Sequence, residues 1–237
     1  MSAEAVIWHD LECGGYRADL GYWLALADRH DGPLLDIGAG TGRVALVLAR
    51  AGHAVIALER DRGLAAELRR RAAGLPVDVL CADACEFAPA RTVALAIVPM
   101  QTVHLLERRD AFLRCARTAL QGGATLAVAL LGAGVEPFEL ELPPDEVQLE
   151  GVRYESTPTA LRRLEAGTVV IERRRSRHGA DAAARSELDR VTLHPCDAAT
   201  LTREAAQAGF APAGVDEIGS THDHAGSEIV RLEAVGS

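Results

Sequence analysis

Three acids stand at strand-sized intervals in the first part of the chain, each tied to a short apolar run. Asp36 closes Leu34-Leu35-Asp36-Ile37 and is followed by Gly38-Ala39-Gly40-Thr41-Gly42-Arg43. Glu59 directly follows Val55-Ile56-Ala57-Leu58, and Asp83 comes just after Val77–Cys81. A backbone stripped of side chains, as at Gly38 and Gly40, can approach a nucleotide-like ligand closely. A carboxylate after the second strand can accept hydrogen bonds from both hydroxyls of an adenosine ribose. Enzymes that use nicotinamide dinucleotides place an acid there as well, so Glu59 points to adenosine without choosing the cofactor.

Spacing narrows the choice. A dinucleotide fingerprint reads G-x-G-x-x-G or A, the last small residue letting helix and strand pack closely. Gly38 and Gly40 fit, but the next required position is Arg43, and Gly42 comes one residue early. A phosphate loop would end in Gly-Lys-Ser/Thr, whereas Gly42 is followed by Arg43 and Val44.

Composition sets the outer limits. With 237 residues, 49% hydrophobic and 25% charged, the chain has the make-up of one large soluble α/β domain. A net charge of −9 argues against nucleic acid as a partner. All 25 basic residues are arginine, so no Schiff-base lysine is available, and the bias fits a GC-rich, bacterial coding sequence. The N-terminus does not read as a secretory signal, and no apolar stretch approaches a membrane span. Five scattered cysteines read as the reduced thiols of a cytoplasmic protein, with no metal site expected.

The elements that must position the acids follow from periodicity. Strands are expected at Leu34–Ile37, Ala54–Leu58, Val77–Cys81, Val93–Val98 and Ala124–Leu130. Helices are expected at Arg17–Arg29, Val44–Arg50, Asp61–Ala73, Arg108–Leu120 and Ala198–Ala208. Such alternation predicts an α/β fold with a mostly parallel sheet covered by helices on both faces, its ligand beyond the carboxyl ends of the strands. A closing pair, Ala213–Ile218 and Glu228–Val235, makes seven strands, the last antiparallel. Between them, residues 135–195 read as an inserted antiparallel β meander, and the whole chain, 1–237, as a single domain.

From Leu34 to Leu131 the order of acid, glycine turn, acid and acid resembles the class I, Rossmann-like S-adenosylmethionine-dependent methyltransferases, of the bacterial small-molecule type. The resemblance implies S-adenosylmethionine as cofactor. Asp36 and the backbone of Gly38, Ala39 and Gly40 would lie near its methionine part, Glu59 would hold the ribose, Arg60 would lie beside the adenine edge, and Asp83 with Ala84 would read the adenine. The segment Val98-Pro99-Met100-Gln101 would border the methyl group. It lacks the Asn/Asp-Pro-Pro-Tyr/Phe pattern of enzymes acting on nucleic-acid amino groups. Many small-molecule members carry a histidine a few residues on, and His104 matches, as a candidate general base or simply a hydrogen-bonded helix-start residue. Residues 1–33 resemble a lid helix region in which Tyr16 would touch the cofactor or substrate, while Trp23 anchors the helix.

Two further groups carry no assignment. His222, Asp223 and His224 form either a polar turn or a metal-binding cluster. Arg173, Arg175 and Arg177 share a strand face and would meet an anionic substrate or a partner chain, or else form a solvated edge strand.

The reading is transfer of a methyl group to an O or N nucleophile of a small molecule, mainly by positioning, in a monomer or homodimer without nucleic-acid or membrane partners. The insertion at 135–195 would cover the substrate. The alternatives are a protein that binds S-adenosylmethionine for a non-methylating reaction or as a sensor and, ranked behind it, an NAD(P)-dependent oxidoreductase.

Overall fold

The computed structural model describes residues 3–132, 136–179, 184–221 and 226–236. His222, Asp223 and His224 lie outside them.

The chain opens with two helices, α1 (Ala3–Cys13) and α2 (Leu20–Ala27), rather than the one expected. Gly14 and Gly15 separate them, where helix propensity is lowest. There follow β1 (Leu34–Ile37), α3 (Ala45–Arg50), β2 (Val55–Leu58), α4 (Arg62–Arg71), β3 (Val77–Leu80), β4 (Val93–Val98), α5 (Arg109–Ala119) and β5 (Leu120–Leu131). The insertion contributes β6 (Phe138–Glu139), β7 (Asp145–Leu149), β8 (Val152–Arg163), β9 (Val169–His178) and β10 (Arg185–Leu193). The chain then returns through α6 (Ala198–Gln207), β11 (Phe210–Ile218) and β12 (Ser227–Ala234).

The large sheet runs β11-β12-β5-β4-β1-β2-β3. Its pairs from β3 to β5 are parallel, and β12, the last strand of the chain, is antiparallel to both β5 and β11. Every residue of β1, β2 and β4 is buried, as a sheet covered on both faces requires. Leu35, Ile37, Phe112, Leu113 and Leu201 pack on one side. Leu34, Ala57, Ile97, Trp23 and Leu68 pack on the other. Trp23 anchors α2 as expected, with its indole N–H donating to Asp19 at 2.8 Å.

Strand order reverses between β1 and β4, which places a crevice at the carboxyl ends of these strands. The small sheet, β10-β9-β8-β6 with β7 also on β8, is antiparallel throughout. In it β9 lies between β8 and β10, so the arginine run is on an interior strand and the solvated edge expected for it is corrected. Among the described residues no helix is long and apolar enough to cross a membrane.

Candidate functional site

A cavity of about 380 Å³ opens at the strand-order reversal, within the range of small-molecule sites. Its wall takes Asp36, Gly38 and Ala39 from the turn after β1, and Glu59, Arg60 and Asp61 from the end of β2. Ala82, Asp83 and Ala84 follow β3, and Pro99, Met100 and Thr102 follow β4. Eight expected cofactor residues are therefore on one wall: Asp36, Gly38, Ala39, Glu59, Arg60, Asp83, Ala84 and Pro99.

Gly40 is brought to the site differently. Its N–H donates to Glu59 Oε2 at 2.9 Å, while the Asp61 N–H donates to Oε1 at 2.7 Å. Glu59 thus ties the glycine turn to the start of α4, whose N-terminus Asp61 caps by accepting from Gly63 and Leu64. Gly38 and Gly40 have φ of 77° and 57°. A Cβ on Gly38 would meet Thr102, and one on Gly40 would strike the His9 ring. The two turns and α1 close together only because these positions carry no side chain.

Asp36 is fully buried, and among the described residues neither carboxylate oxygen has a hydrogen-bond partner. Burial pushes its pKa up to about 7, against the pull of the Arg43 guanidinium. Arg43 is fixed by a bidentate pair with Asp19, at 2.5 and 2.8 Å, and by donation to the Tyr16 carbonyl at 2.9 Å. At the far end Asp83 Oδ1 accepts from the Cys85 N–H at 2.7 Å, and this bond holds its carboxyl below the usual range.

After β4 the backbone is strained. Met100 and Gln101 have φ of 49° and 56°, a left-handed conformation costing roughly 1–2 kcal/mol for each non-glycine residue. Thr102 steadies this turn by donating its hydroxyl to the Pro99 carbonyl at 2.8 Å.

The geometry corrects the reading of His104 as a base. The Leu131 N–H donates to its Nε2 at 3.0 Å, so Nδ1 carries the proton and donates to the His194 carbonyl at 2.8 Å. The His194 N–H returns a bond to the His104 carbonyl at 2.7 Å. The ring is buried, which lowers its pKa, and no nitrogen is left to take a substrate proton. His104 is a clasp joining the turn after β4, the end of β5 and the end of β10.

Tyr16 is also placed away from the cavity wall. Its ring is buried under the Arg43 guanidinium, 5.2 Å from ring centroid to guanidinium carbon. Its place supports Arg43 and the α1–α2 link.

The cavity wall also holds His9, Cys13 and Arg43, which sequence reasoning did not single out as ligand contacts. A signal existed: His9 and Cys13 are four apart and share a face of α1, and Trp8 and Glu12 share the next. Trp8 packs edge-on against Tyr154 at 5.3 Å, and Glu12 takes two bonds from Arg175, at 2.8 and 2.7 Å. Asp10 accepts from Thr41 at 2.6 Å and pairs with Arg71. Helix α1 therefore lies between the glycine turn and the small sheet.

Comparison with known proteins agrees with this geometry. Residues 34–123 match the family model described as a methyltransferase domain. No curated protein matches the sequence. Among solved structures, the sugar N-methyltransferase KedS8 from Streptoalloteichus sp. aligns at TM-score 0.78 with 17% identity, over 100% of this chain and 94% of that one. DesVI of Streptomyces venezuelae aligns at 0.73 with 16% identity, over 100% of both chains. CalS10 from Micromonospora echinaspora, an amino pentose methyltransferase solved with S-adenosylmethionine bound, aligns at 0.72 with 19% identity, over 99% and 98%. Residues 34–123 thus match a methyltransferase domain, and the fold of the chain is the one these S-adenosylmethionine-dependent methyltransferases share.

Proposed function

We propose that this protein transfers a methyl group from S-adenosylmethionine to a hydroxyl or amino group of a small molecule, mainly by positioning. The observation that carries the reading is the convergence of Asp36, the glycine turn, Glu59 and Asp83 on one cavity at the switch point of the large sheet. The polar groups fit the cofactor. Asp36 has two buried oxygens in need of donors, which the ammonium group of a methionine part supplies. Arg43 stands on the same wall with N–H groups left over for its carboxylate. Glu59 has given one lone pair on each oxygen to the backbone and keeps others for the ribose hydroxyls. Asp83, held by one oxygen, presents the other to the adenine amino group, with Arg60 and Ala84 beside it.

The cofactor supplies a methyl group that is already electrophilic on a sulfonium. The chain's task is to hold the acceptor in line with it and to exclude water. Pro99, Met100, Leu105 and Leu106 form an apolar stretch of wall suited to this. With His104 committed to the backbone, the acceptor enters with its lone pair available, and no imidazole base is assigned. The names of KedS8, a sugar N-methyltransferase, and CalS10, an amino pentose methyltransferase, support an amino acceptor within that range. In this reading α1 with α2, and the insertion at 135–195, form the cover over the acceptor. The protein acts in the cytoplasm as a monomer or homodimer, without nucleic-acid or membrane partners.

Calorimetric titration with S-adenosylmethionine, S-adenosylhomocysteine and NAD tests the cofactor assignment. Binding of the first two is expected, and binding of NAD alone overturns it. Incubation with methyl-labelled S-adenosylmethionine and a panel of amino sugars and small amines then tests the transfer.

A further inference from the structure

Among the described residues, glycine takes eleven positions of positive φ and other residues take three: Met100, Gln101 and Glu150. Glu150 is exposed and forms, with Gly151, the two-residue hairpin between β7 and β8, a turn that requires positive φ at both places. Met100 and Gln101 belong to no hairpin. They are consecutive, and Met100 is half-buried and lines the cavity between Pro99 and Thr102. Glycine at position 100 would take the same backbone without strain. The chain uses glycine for this purpose elsewhere, so what the strained position retains is the methionine side chain.

The turn is held from several directions. The Thr102 N–H and hydroxyl both donate to the Pro99 carbonyl, at 3.3 and 2.8 Å. The His104 N–H donates to the Gln101 carbonyl at 2.9 Å, and the His104 ring is itself clasped to Leu131 and His194. Thr102 also packs so closely on the glycine turn that a Cβ on Gly38 would come within 2.5 Å of it. Backbone strain over-determined in this way is characteristic of ligand sites.

The sheet indicates which part of the ligand this turn meets. The cavity takes strand ends in the order β3, β2, β1, β4. With Asp83 at the adenine, Glu59 at the ribose and Asp36 at the methionine part, the sulfonium lies toward β1 and the turn after β4 that packs on it. The Thr102 hydroxyl proton and the His104 ring are spent within the protein, so Pro99, Met100, Leu105 and Leu106 offer the ligand apolar surface. Of these, methionine is the unbranched and polarizable one, able to follow a small group closely.

We propose that Met100 is the specificity-determining residue for the transferred methyl: its thioether side chain packs on that group and shields it from water. This rests on the methyltransferase reading and adds to it the residue that tells the methylated cofactor from its demethylated product.

The test is calorimetric titration of the full chain with S-adenosylmethionine, S-adenosylhomocysteine and adenosine. In Met100→Gly the ratio of affinities for the first two is expected to shift about fourfold against S-adenosylmethionine, the size of one methyl group's burial. Adenosine binding should be unchanged. Because glycine relieves the positive φ, the variant should melt within about 3 °C of the wild type. Met100→Leu, which keeps apolar bulk, should restore most of the ratio. Should Met100→Gly lose its cooperative melt, Met100→Asn is read in its place with the same expected shift, since asparagine tolerates the left-handed region. An unchanged ratio in the variant that folds, or a shift in Met100→Leu as large as in Met100→Gly, overturns the proposal. Unfolding of both the glycine and the asparagine variants overturns it as well, because Met100 then serves the fold. Failure of the wild type to bind either S-adenosylmethionine or S-adenosylhomocysteine strikes the cofactor reading instead.

Discussion

The large and small sheets hold their charges in different ways. At the ends of the large sheet's strands carboxylates are held by backbone N–H groups: Glu59 by Gly40 and Asp61, and Asp83 by Cys85. On the small sheet charges lie along the strands and are held by other side chains. Glu172 bridges Arg162 and Arg190, Arg174 reaches Glu141, and Arg175 takes Glu12 and Asp189. A backbone donor is already fixed by the fold, so a carboxylate bonded to it is positioned at little further entropic cost. A pair of long exposed side chains must give up rotamer freedom and is screened by salt, so its net contribution is close to zero. The first arrangement suits reading a ligand of fixed shape. The second suits docking one sheet against the helix beside it.

The largest effect that would test this contrast is expected at Glu59. Glu59→Ala leaves the N–H groups of Gly40 and Asp61 without their acceptor, which costs about 2–3 kcal/mol and lowers the melting temperature by roughly 5–10 °C for a chain of this size. Affinity for S-adenosylmethionine should fall about a hundredfold, and Glu59→Gln should recover part of both losses. Glu141→Ala, which removes the exposed partner of Arg174, should change neither. Equal effects of the two in thermal melts and titrations would erase the distinction.

Next comes Asp36, the carboxylate without a partner. Its folded pKa is raised from 3.8 to about 7, so the folded chain keeps a proton that the unfolded chain releases. The ligand-free protein therefore loses stability as pH rises from about 4 to about 7, and nothing further from this group above that. Asp36→Asn should remove that slope and raise the ligand-free melting temperature at pH 8 by a few degrees. It should also weaken S-adenosylmethionine binding by about tenfold or more, one lost charged contact. A variant that is both less stable and equally tight in binding would show that Asp36 serves the fold and not the ligand.

The same contrast explains what could be read from the sequence. Asp36, Glu59 and Asp83 were legible because Asp36 lies within β1 and Glu59 and Asp83 follow β2 and β3 by one and three residues, so one-dimensional spacing fixes where they arrive. His104 was found with its role open between base and hydrogen-bonded residue, because its two partners, His194 and Leu131, lie 90 and 27 residues away and no local pattern reports them. The arginine run was read most readily as an edge because a strand's neighbours are set by topology. Its bonds to Glu12 and Glu4 span 163 and 173 residues. The N-terminal region was read as a lid, and its two-sided packing, with His9 and Cys13 on one side and Trp8 and Glu12 on the other, became visible only once the small sheet had an address.

A smaller effect is expected at the joint between α1 and the small sheet. Glu12→Gln weakens a bidentate pair with Arg175 that is mostly shielded from solvent and should cost about 1–2 kcal/mol, below the 3–5 of a fully buried pair. S-adenosylhomocysteine affinity should change far less than in Glu59→Ala. A comparable loss, measured by titration, would make α1 part of the cofactor site and dissolve the division between the two regions.

The smallest effect, and the sharpest on mechanism, is expected at His104. Its folded pKa lies below the ordinary 6.5, so on acidification the unfolded chain takes up a proton that the folded chain refuses. Stability is then lost as pH falls below about 6.5, opposite in sign to Asp36. Glutamine can donate to the His194 carbonyl and accept from the Leu131 N–H, reproducing both bonds without a titrating group. His104→Gln should thus flatten the acid-side slope of the melting curve, shift the melting temperature by only a degree or two at pH 8, and leave kcat and its pH profile nearly unchanged. A general base contributes about a hundredfold or more to turnover. A fall of that size in a correctly folded variant, with the pH profile altered, would return His104 to the chemistry; its absence leaves positioning by the large sheet as the source of the rate.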